Sequence, residues 1–459
     1  MKKKIILIIC LCLGINGFAL AAREITNDFT TEYRKVAFTT LAAATCAGTY
    51  VPQGQASEYS FLKHYGFKIT PYSQTVKGVQ LNFMVATNST PVSGRRLAII
   101  AFRGSQGKDD WKINLKTHQV PFGEGAVAKK EEQDVPKVHA GFDAYTKAAL
   151  TCKIDLDGDG ITDDLAATLK EQSDLDVLLT GHSLGGAVAT LYGEHLVTQG
   201  VPKERVPVIT FGAPAVGNKA FAELYGPKIN LLRIVTTYDP VPGSLQSFIG
   251  GYKQFGSLER YELSSIYADF QHPISFYLDL ALKNYYDIVD EGTVAGVFPE
   301  LPSSRYTEGV PLVALALTAM DNHGDGRFAP DIKRFTLEEY LNVLPSYTIL
   351  ADDIDKNKEN VSIATLLTQA KRQKAQYLVV MDVDRHSIGQ SNRWYIGVSQ
   401  VIFSVADGNL LVAESGSTRI NYNQGIVQGT ISLVEKCKES MLGQFPFAKT
   451  VVIPMRKMD

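Results

Sequence analysis

Ser183 lies in the run GHSLGG (181–186), with Gly181 and Gly185 two positions to either side, directly behind the apolar run DVLLT (176–180). A serine hydroxyl is a weak nucleophile at neutral pH. It becomes reactive when a base takes its proton and a third group orients that base. Glycines on both flanks suit a sharp strand-to-helix turn that pushes the hydroxyl out of the sheet with no Cβ crowding it. The same run also reads as a plain turn of small residues, so its partners must decide. In the chain order serine, acid, histidine, the acid should follow a later strand. Asp239 does so, closing the apolar run RIVTTYD and stopped by Pro240. His272, in ADFQHPISFY, precedes the Gly/Pro/Ser-rich stretch at 291–308, whereas His323 and His386 lie beyond it. Asp239 before a proline also suits a turn, and His272 before Pro273 suits a helix start. Order and placement together favour the triad Ser183, Asp239, His272. A developing oxyanion needs donors, worth about 3–4 kcal/mol for a single one. The N–H of Leu184, next after the serine, is one. Ser105, at the tip of AFRGS behind an earlier apolar run, is placed to be the other.

A second pattern suits a different chemistry. DLDGDGITDDL (155–165) sets Asp155, Asp157 and Asp159 at alternate positions, then Gly160, the Ile161 carbonyl and Asp163. This is the oxygen-rich spacing of an EF-hand-like calcium loop. Position 12 is Ala166 rather than Glu, so the bidentate ligand is missing unless Asp164 substitutes. The two readings are a structural calcium site and an unfilled acidic turn. DNHGDG (321–326) echoes the pattern more weakly and reads as a turn. Serine–histidine–aspartate chemistry itself requires no cofactor.

The elements that must hold these groups are legible as apolar runs. RRLAIIAFRG (95–104), DVLLT, VPVITFG (206–212) and LLRIVTTYD (231–239) read as buried strands, alternating with helical stretches such as GAVATLYGEHL and PISFYLDLALKNYY. Residues 29–50 have helical spacing, and mixed turns and strands follow. That alternation predicts an α/β fold: a mostly parallel sheet with helices on both faces. The organisation expected is a leader at 1–22, an α/β domain at 23–295, a linker at 296–308, and a smaller C-terminal αβ domain at 309–459. In the last, strands at VPLVALALTA, YTIL, QYLVVMDV, RWYIGVSQVIFSV, LLVAESGS and KTVVIPM alternate with helices at TLEEYLNVL, SIATLLTQAKRQKA and 430–443.

At 459 residues with 45% hydrophobic and 20% charged residues, the chain has the composition of an ordinary folded protein with two or three cores. Its formal charge of −2 gives no basic field for nucleic acid. MKKK, the short apolar IILIICLCL and the small residues of FALAA read as an export signal cleaved after Ala21 or Ala22, which predicts a periplasmic or secreted protein. Cleavage would leave Cys46, Cys152 and Cys437, enough for one disulfide at most, with Cys46–Cys152 and three buried thiols both open.

The blocks IIAFRGSQGKDDWKINL (99–115), KVHAGFDAY (137–145), LLTGHSLGGAVA (178–189), ITFGAPAVGN (209–218), RIVTTYDPVP (233–242) and HPISFY (272–277) stand in an order that resembles the class 3 lipases. These are fungal-lipase-like α/β-hydrolases, and the resemblance covers about residues 29–290. It implies an α/β-hydrolase fold and a secreted serine ester hydrolase working through an acyl-enzyme. Ser183 would be the nucleophile, Asp239 the acid, His272 the base, and Ser105 and Leu184 the oxyanion hole. The substrate implied is a lipid or a small ester. The stretch after Ser105 would be the family's lid. Its apolar residues, Trp111, Ile113 and Leu115, are few, so weak activation at interfaces is expected, with soluble esters or phospholipids as well suited as oil droplets. Two alternatives share the scaffold: a non-catalytic envelope-binding protein, and an acyltransferase. The C-terminal domain loosely resembles small periplasmic domains of outer-membrane assembly proteins, which would make it a docking module for an envelope partner or a domain that stabilises the first.

Overall fold

The computed structural model describes residues 31–50, 61–63, 65–76, 78–92, 95–105, 118–123, 135–156, 164–263, 270–321, 329–350, 362–387, 394–419 and 425–449. After helix α1 (residues 31–48) come β1 (Lys68–Val76), β2 (Val79–Val92), β3 (Arg95–Phe102), β4 (Gln119–Pro121), β5 (Lys137–His139) and α2 (Ala140–Ala149). Then follow α3 (Leu165–Glu171), β6 (Leu175–His182), α4 (Leu184–Thr198), β7 (Val208–Phe211), α5 (Lys219–Tyr225), β8 (Leu231–Thr236), β9 (Ser257–Tyr261) and α6 (Ile274–Val294). The second unit contains β10 (Ser304–Arg305), β11 (Val313–Asp321), α7 (Ala329–Leu341), β12 (Tyr347–Ile349), α8 (Ile363–Arg372), β13 (Tyr377–Ser387), β14 (Trp394–Ser404), β15 (Leu410–Arg419) and α9 (Ile426–Gln444).

Among the described residues the first sheet runs β1-β2-β3-β6-β7-β8-β9. The links from β3 through β9 are parallel, and only the β1–β2 and β2–β3 links are antiparallel. This is the α/β fold expected, a mostly parallel sheet with helices on both faces. Strands covered on both sides are apolar on both faces, as β3 is over Leu97–Phe102 and β6 over Val177–Leu179. Their alternation splits the core. Leu97, Ile99 and Ala101 face α1 and α6, while Ala98, Ile100 and Phe102 join Val188 and Tyr192 of α4 on the other side. The consequence for function is geometric. The C-terminal ends of β3, β6, β7 and β8 all reach one edge of the sheet.

The second sheet runs β10-β12-β11-β13-β14-β15, parallel at its centre and antiparallel toward β15. Its strands and helices fall where the sequence predicts them. The expected KTVVIPM strand lies outside the described residues from 450 onward. The stretch expected as a linker, 296–308, is tied down. Phe298 packs edge-on against Tyr33, with ring centroids 4.7 Å apart, and Ser304–Arg305 pairs with β12. An apolar residue amid Gly and Pro is enough to anchor such a stretch.

Helix α6 joins the units. At 21 residues it is about 32 Å long and buries residues toward both. One continuous core runs from Ile99 and Phe211 through Tyr285 and Tyr286 to Phe335, Val427 and Ile431. Asp279 of α6 is buried and accepts the N–H groups of Val427 (3.0 Å) and Gln428 (3.3 Å). A carboxylate at these orphan amides satisfies the start of α9 and meets the positive end of its dipole. Gly425 must lack a side chain there, since a Cβ would come within 2.2 Å of Asp279 Oδ2.

Cys46, Cys152 and Cys437 are buried free thiols, which settles the open pairing in favour of three thiols. Burial pushes the Cys46 thiol up to about 12 and Cys437 up to about 11, so neither is a thiolate at neutral pH.

Candidate active site

Ser183 occupies the single residue between the end of β6 and the start of α4, with φ 57° and ψ −126°. Positive φ in a residue with a Cβ is strained by about 1–3 kcal/mol, and such strain persists where the surroundings enforce it. Here backbone is packed on backbone. A Cβ on Gly181 would meet the Gly185 carbonyl group at 2.1 Å, and one on Gly185 would meet the Phe102 carbonyl oxygen at 1.9 Å. The glycines therefore do more than free a turn. They let the tip of β3, the end of β6 and the first turn of α4 touch. The Ser183 N–H donates to the Phe211 carbonyl at 2.9 Å, which ties the elbow to β7.

Beyond β7, Gly212 has φ 57°, and a Cβ there would come within 2.5 Å of Asp239 Oδ2 and 3.1 Å of His272 Nδ1. The elbow and the acid–base pair thus sit on either side of the Phe211–Gly212 step. Asp239 follows β8 and receives His272 Nδ1 at 2.8 Å, with both side chains essentially excluded from solvent. Its other oxygen, Oδ1, accepts the Val241 N–H at 2.9 Å. The base loop is pinned by main-chain bonds. Gln271 N–H donates to the Tyr238 carbonyl at 3.2 Å, and Thr236 Oγ1 to the Gln271 carbonyl at 2.9 Å. A carboxylate can only accept, so the proton between the two side chains belongs to His272 Nδ1. With the proton on Nδ1, a neutral ring carries its lone pair on Nε2, the atom that can act as a base.

Three further residues are missing from the triad read in the sequence. Tyr277, one helical turn into α6, donates to Asp239 Oδ2 at 2.5 Å. Burial, with the Asp239 charge adding to it, pushes its phenol well above the usual 10, so the proton stays on Tyr277. His182, immediately before the serine, meets the His272 carbonyl through Nε2 at 2.7 Å and the Tyr50 hydroxyl through Nδ1 at 2.8 Å. The Tyr50 hydroxyl in turn accepts the Gly104 N–H at 2.9 Å. Tyr277 lies within the block HPISFY, and a tyrosine one turn past the base was the available signal. Tyr50 gave none.

Ser183, Leu184, Asp239 and His272 are brought to one edge of the first sheet. Ser105 follows β3 by three residues, and a Cβ on its neighbour Gly104 would come within 3.2 Å of Ser183 Cβ. The expected lid residues Trp111, Ile113 and Leu115 lie outside the described residues. So do Asp157, Asp159, Ile161 and Asp163 of the expected calcium loop. Asp155 is described, and its N–H donates to the Tyr72 hydroxyl on β1 at 3.0 Å. Asp164 caps α3, its Oδ1 accepting the Ala167 N–H at 2.9 Å.

Residues 99–247 match the family model Lipase (class 3). This is the family that the sequence blocks resemble, and the matched stretch contains Ser105, Ser183, Leu184 and Asp239. Over 225 residues the chain is 31% identical to phospholipase A(1) DAD1 of Arabidopsis thaliana, covering 42% of this chain and 48% of that protein. It is also 31% identical over 194 residues to phospholipase A1-II 1 of Oryza sativa, covering 38% and 48%. The chain thus spans about half the length of these curated relatives. Among solved structures, the triacylglyceride lipase of Rhizomucor miehei is 27% identical with a TM-score of 0.37, covering 52% of this chain and 80% of that one.

Proposed function

We propose that this class 3 lipase-like chain hydrolyses carboxylic esters of apolar acyl groups, glycerolipids and phospholipids among them, through an acyl-enzyme on Ser183. The observation that carries the reading is the strained serine held one strand from a buried His272–Asp239 pair in which Asp239 takes the Nδ1 proton of the ring. Ser183 Oγ attacks the ester carbonyl as His272 Nε2 takes its proton, and the oxygen that becomes negative is met by the Leu184 N–H and by Ser105. His272 then returns the proton to the leaving alcohol, and water repeats the sequence to release the acid. Asp239 balances the positive charge that appears on the ring. The matched relatives named phospholipase A1 support a lipid ester as substrate. So does the rim. Tyr238, adjacent to Asp239 in the chain, and Phe270, whose ring centroid lies 5.9 Å from that of His272, are large apolar residues left 45% and 46% exposed. The leader at 1–22 supports export as part of the same proposal.

A fluorophosphonate probe tests the reading. Wild type should be labelled at Ser183 and turn over an ester panel that includes phospholipid. Ser183→Ala should lose both, with turnover down by about 10⁵–10⁶. Failure of wild type to take the label or to hydrolyse any ester in the panel would overturn it.

A further inference from the structure

Tyr50 and His182 form a run of hydrogen bonds with one consistent set of proton positions. The His272 carbonyl can only accept, so His182 Nε2 must carry a proton. Burial, reinforced by the neighbouring His272, holds His182 well below the usual imidazole range, so the ring is neutral and Nδ1 is an acceptor. Nδ1 therefore takes the Tyr50 O–H, and the Tyr50 oxygen takes the Gly104 N–H. The run reads Gly104 N–H to Tyr50, Tyr50 O–H to His182, and His182 N–H to the main chain of His272. One end is the residue next to Ser105. The other is the base.

A buried His182 and a half-buried Tyr50 hydroxyl would cost stability in this layer unless paired, and apolar residues of similar size would fill the space. Their pairing instead ties together two loops that no strand pairing joins. Gly104 is fitted to the contact, because a Cβ there would come within 2.4 Å of Tyr50 Oη and 2.6 Å of the His182 carbonyl oxygen. The His182 ring also lies 4.6 Å from the His272 ring, centroid to centroid. A neutral neighbour at that distance does not oppose the charge His272 acquires when it takes the serine proton.

We propose that Tyr50 and His182 are positioning residues, a side-chain strut behind the nucleophile that fixes the spacing between the oxyanion loop and the base. The inference rests on the serine hydrolase reading of the site. In the reaction the oxyanion donors and His272 must both be within hydrogen-bond reach of one tetrahedral centre, and a displacement near 1 Å costs on the order of 100-fold in rate. His272 is then held at two points, its ring by Asp239 and its carbonyl by His182.

The test uses the full-length chain and a soluble short-chain p-nitrophenyl ester. Tyr50→Phe keeps the ring and removes the hydroxyl. It should lower kcat by about tenfold to a hundredfold, with KM within about twofold. Affinity for a trifluoromethyl ketone, whose hemiketal oxygen mimics the oxyanion, should weaken in step with kcat/KM. His182→Gln retains a donor near the His272 carbonyl and should keep more activity than His182→Ala. Thermal unfolding of each variant measures its folded fraction. Unchanged kcat and ketone affinity in Tyr50→Phe, or a loss no greater than the loss of folded protein, would overturn the strut. A wild type that hydrolyses no ester sinks the hydrolase reading instead. The strut is then judged by the imidazole nitrogens of His182 in NMR: an unprotonated Nδ1 that shifts in Tyr50→Phe supports it, and a protonated Nδ1 overturns it.

Discussion

Asp239, at the C-terminal edge of the first sheet, and Glu339, on α7 of the second unit, are both buried carboxylates, but they face different partners. Glu339 is paired with the Lys438 ammonium on α9, and its neighbour Glu338 takes Arg334 Nε at 2.9 Å. Arg334 also reaches back to Asp290 of α6 at 2.7 Å. In each case a full positive charge cancels the acid's charge, and the pairing fixes how α6, α7 and α9 pack. Among the described residues Asp239 has neutral partners only: the imidazole of His272, the phenol of Tyr277 and the Val241 amide. Its negative charge is hydrogen-bonded but not cancelled. A buried acid matched by a cation has no charge left to offer a reaction. A buried acid held by neutral donors still has its charge for a cation yet to form, and a His272 that has just accepted a proton is such a cation.

Exchanging the acids for neutral residues should separate the two regions. Asp239→Asn keeps the shape but presents an amide to His272, which favours the tautomer with the proton on Nε2 and removes the base. Turnover of the ester should fall by about 10⁴ while the chain remains folded by circular dichroism. Retention of more than about a tenth of the wild-type kcat would break the comparison. Glu339→Ala should do the reverse. It leaves the largely covered Lys438 without its acid, a loss of up to about 3 kcal/mol in denaturant unfolding, with kcat and KM of the folded protein unchanged. A variant that unfolds as wild type does, or that loses turnover while folded, would show that the second unit's ion pairs are not structural.

Ser183 and Asp239 were legible because each closes its own apolar run, and His272 because it follows them in the chain and precedes the Gly/Pro/Ser-rich stretch. An apolar run that stops at a glycine-flanked serine or an aspartate–proline step is a local signal, and chain order supplied the rest. The second unit was legible for the same reason, its strands and helices being cleanly periodic. The hairpin of β1 and β2 was read only as mixed turns and strands. β1 is a largely exposed edge strand, and its residues do not form an apolar run. The strut was not legible, since Tyr50 and His182 are 132 positions apart and hydrogen-bond partners leave no periodic trace. The union of the two units was missed as well. PISFYLDLALKNYY is apolar around most of its circumference, with Tyr277, Leu278, Leu280, Leu282 and Tyr286 all buried. A helix with such a pattern is covered on more than one side, and its second cover is α7 and α9 of the second unit.

The smallest expected effect is in pH dependence, and it sharpens the contrast from the first region's side. His182 in the folded protein is held well below the usual imidazole value by burial, with the nearby His272 acting in the same direction. Above about pH 6.5 the ring is neutral in folded and unfolded chains alike, so His182 adds no pH dependence there. Below that value the unfolded chain binds a proton that the folded chain refuses. Acidification therefore favours unfolding, by about 1.4 kcal/mol per pH unit for one such group. His182→Gln removes the group. Its unfolding free energy, measured in urea between pH 6.5 and 5, should fall less steeply than that of wild type by about that amount per unit. Parallel slopes for the two proteins would mean that His182 is protonated in the folded chain. A charged ring would have to donate from Nδ1 to the Tyr50 oxygen and would set a second cation beside His272.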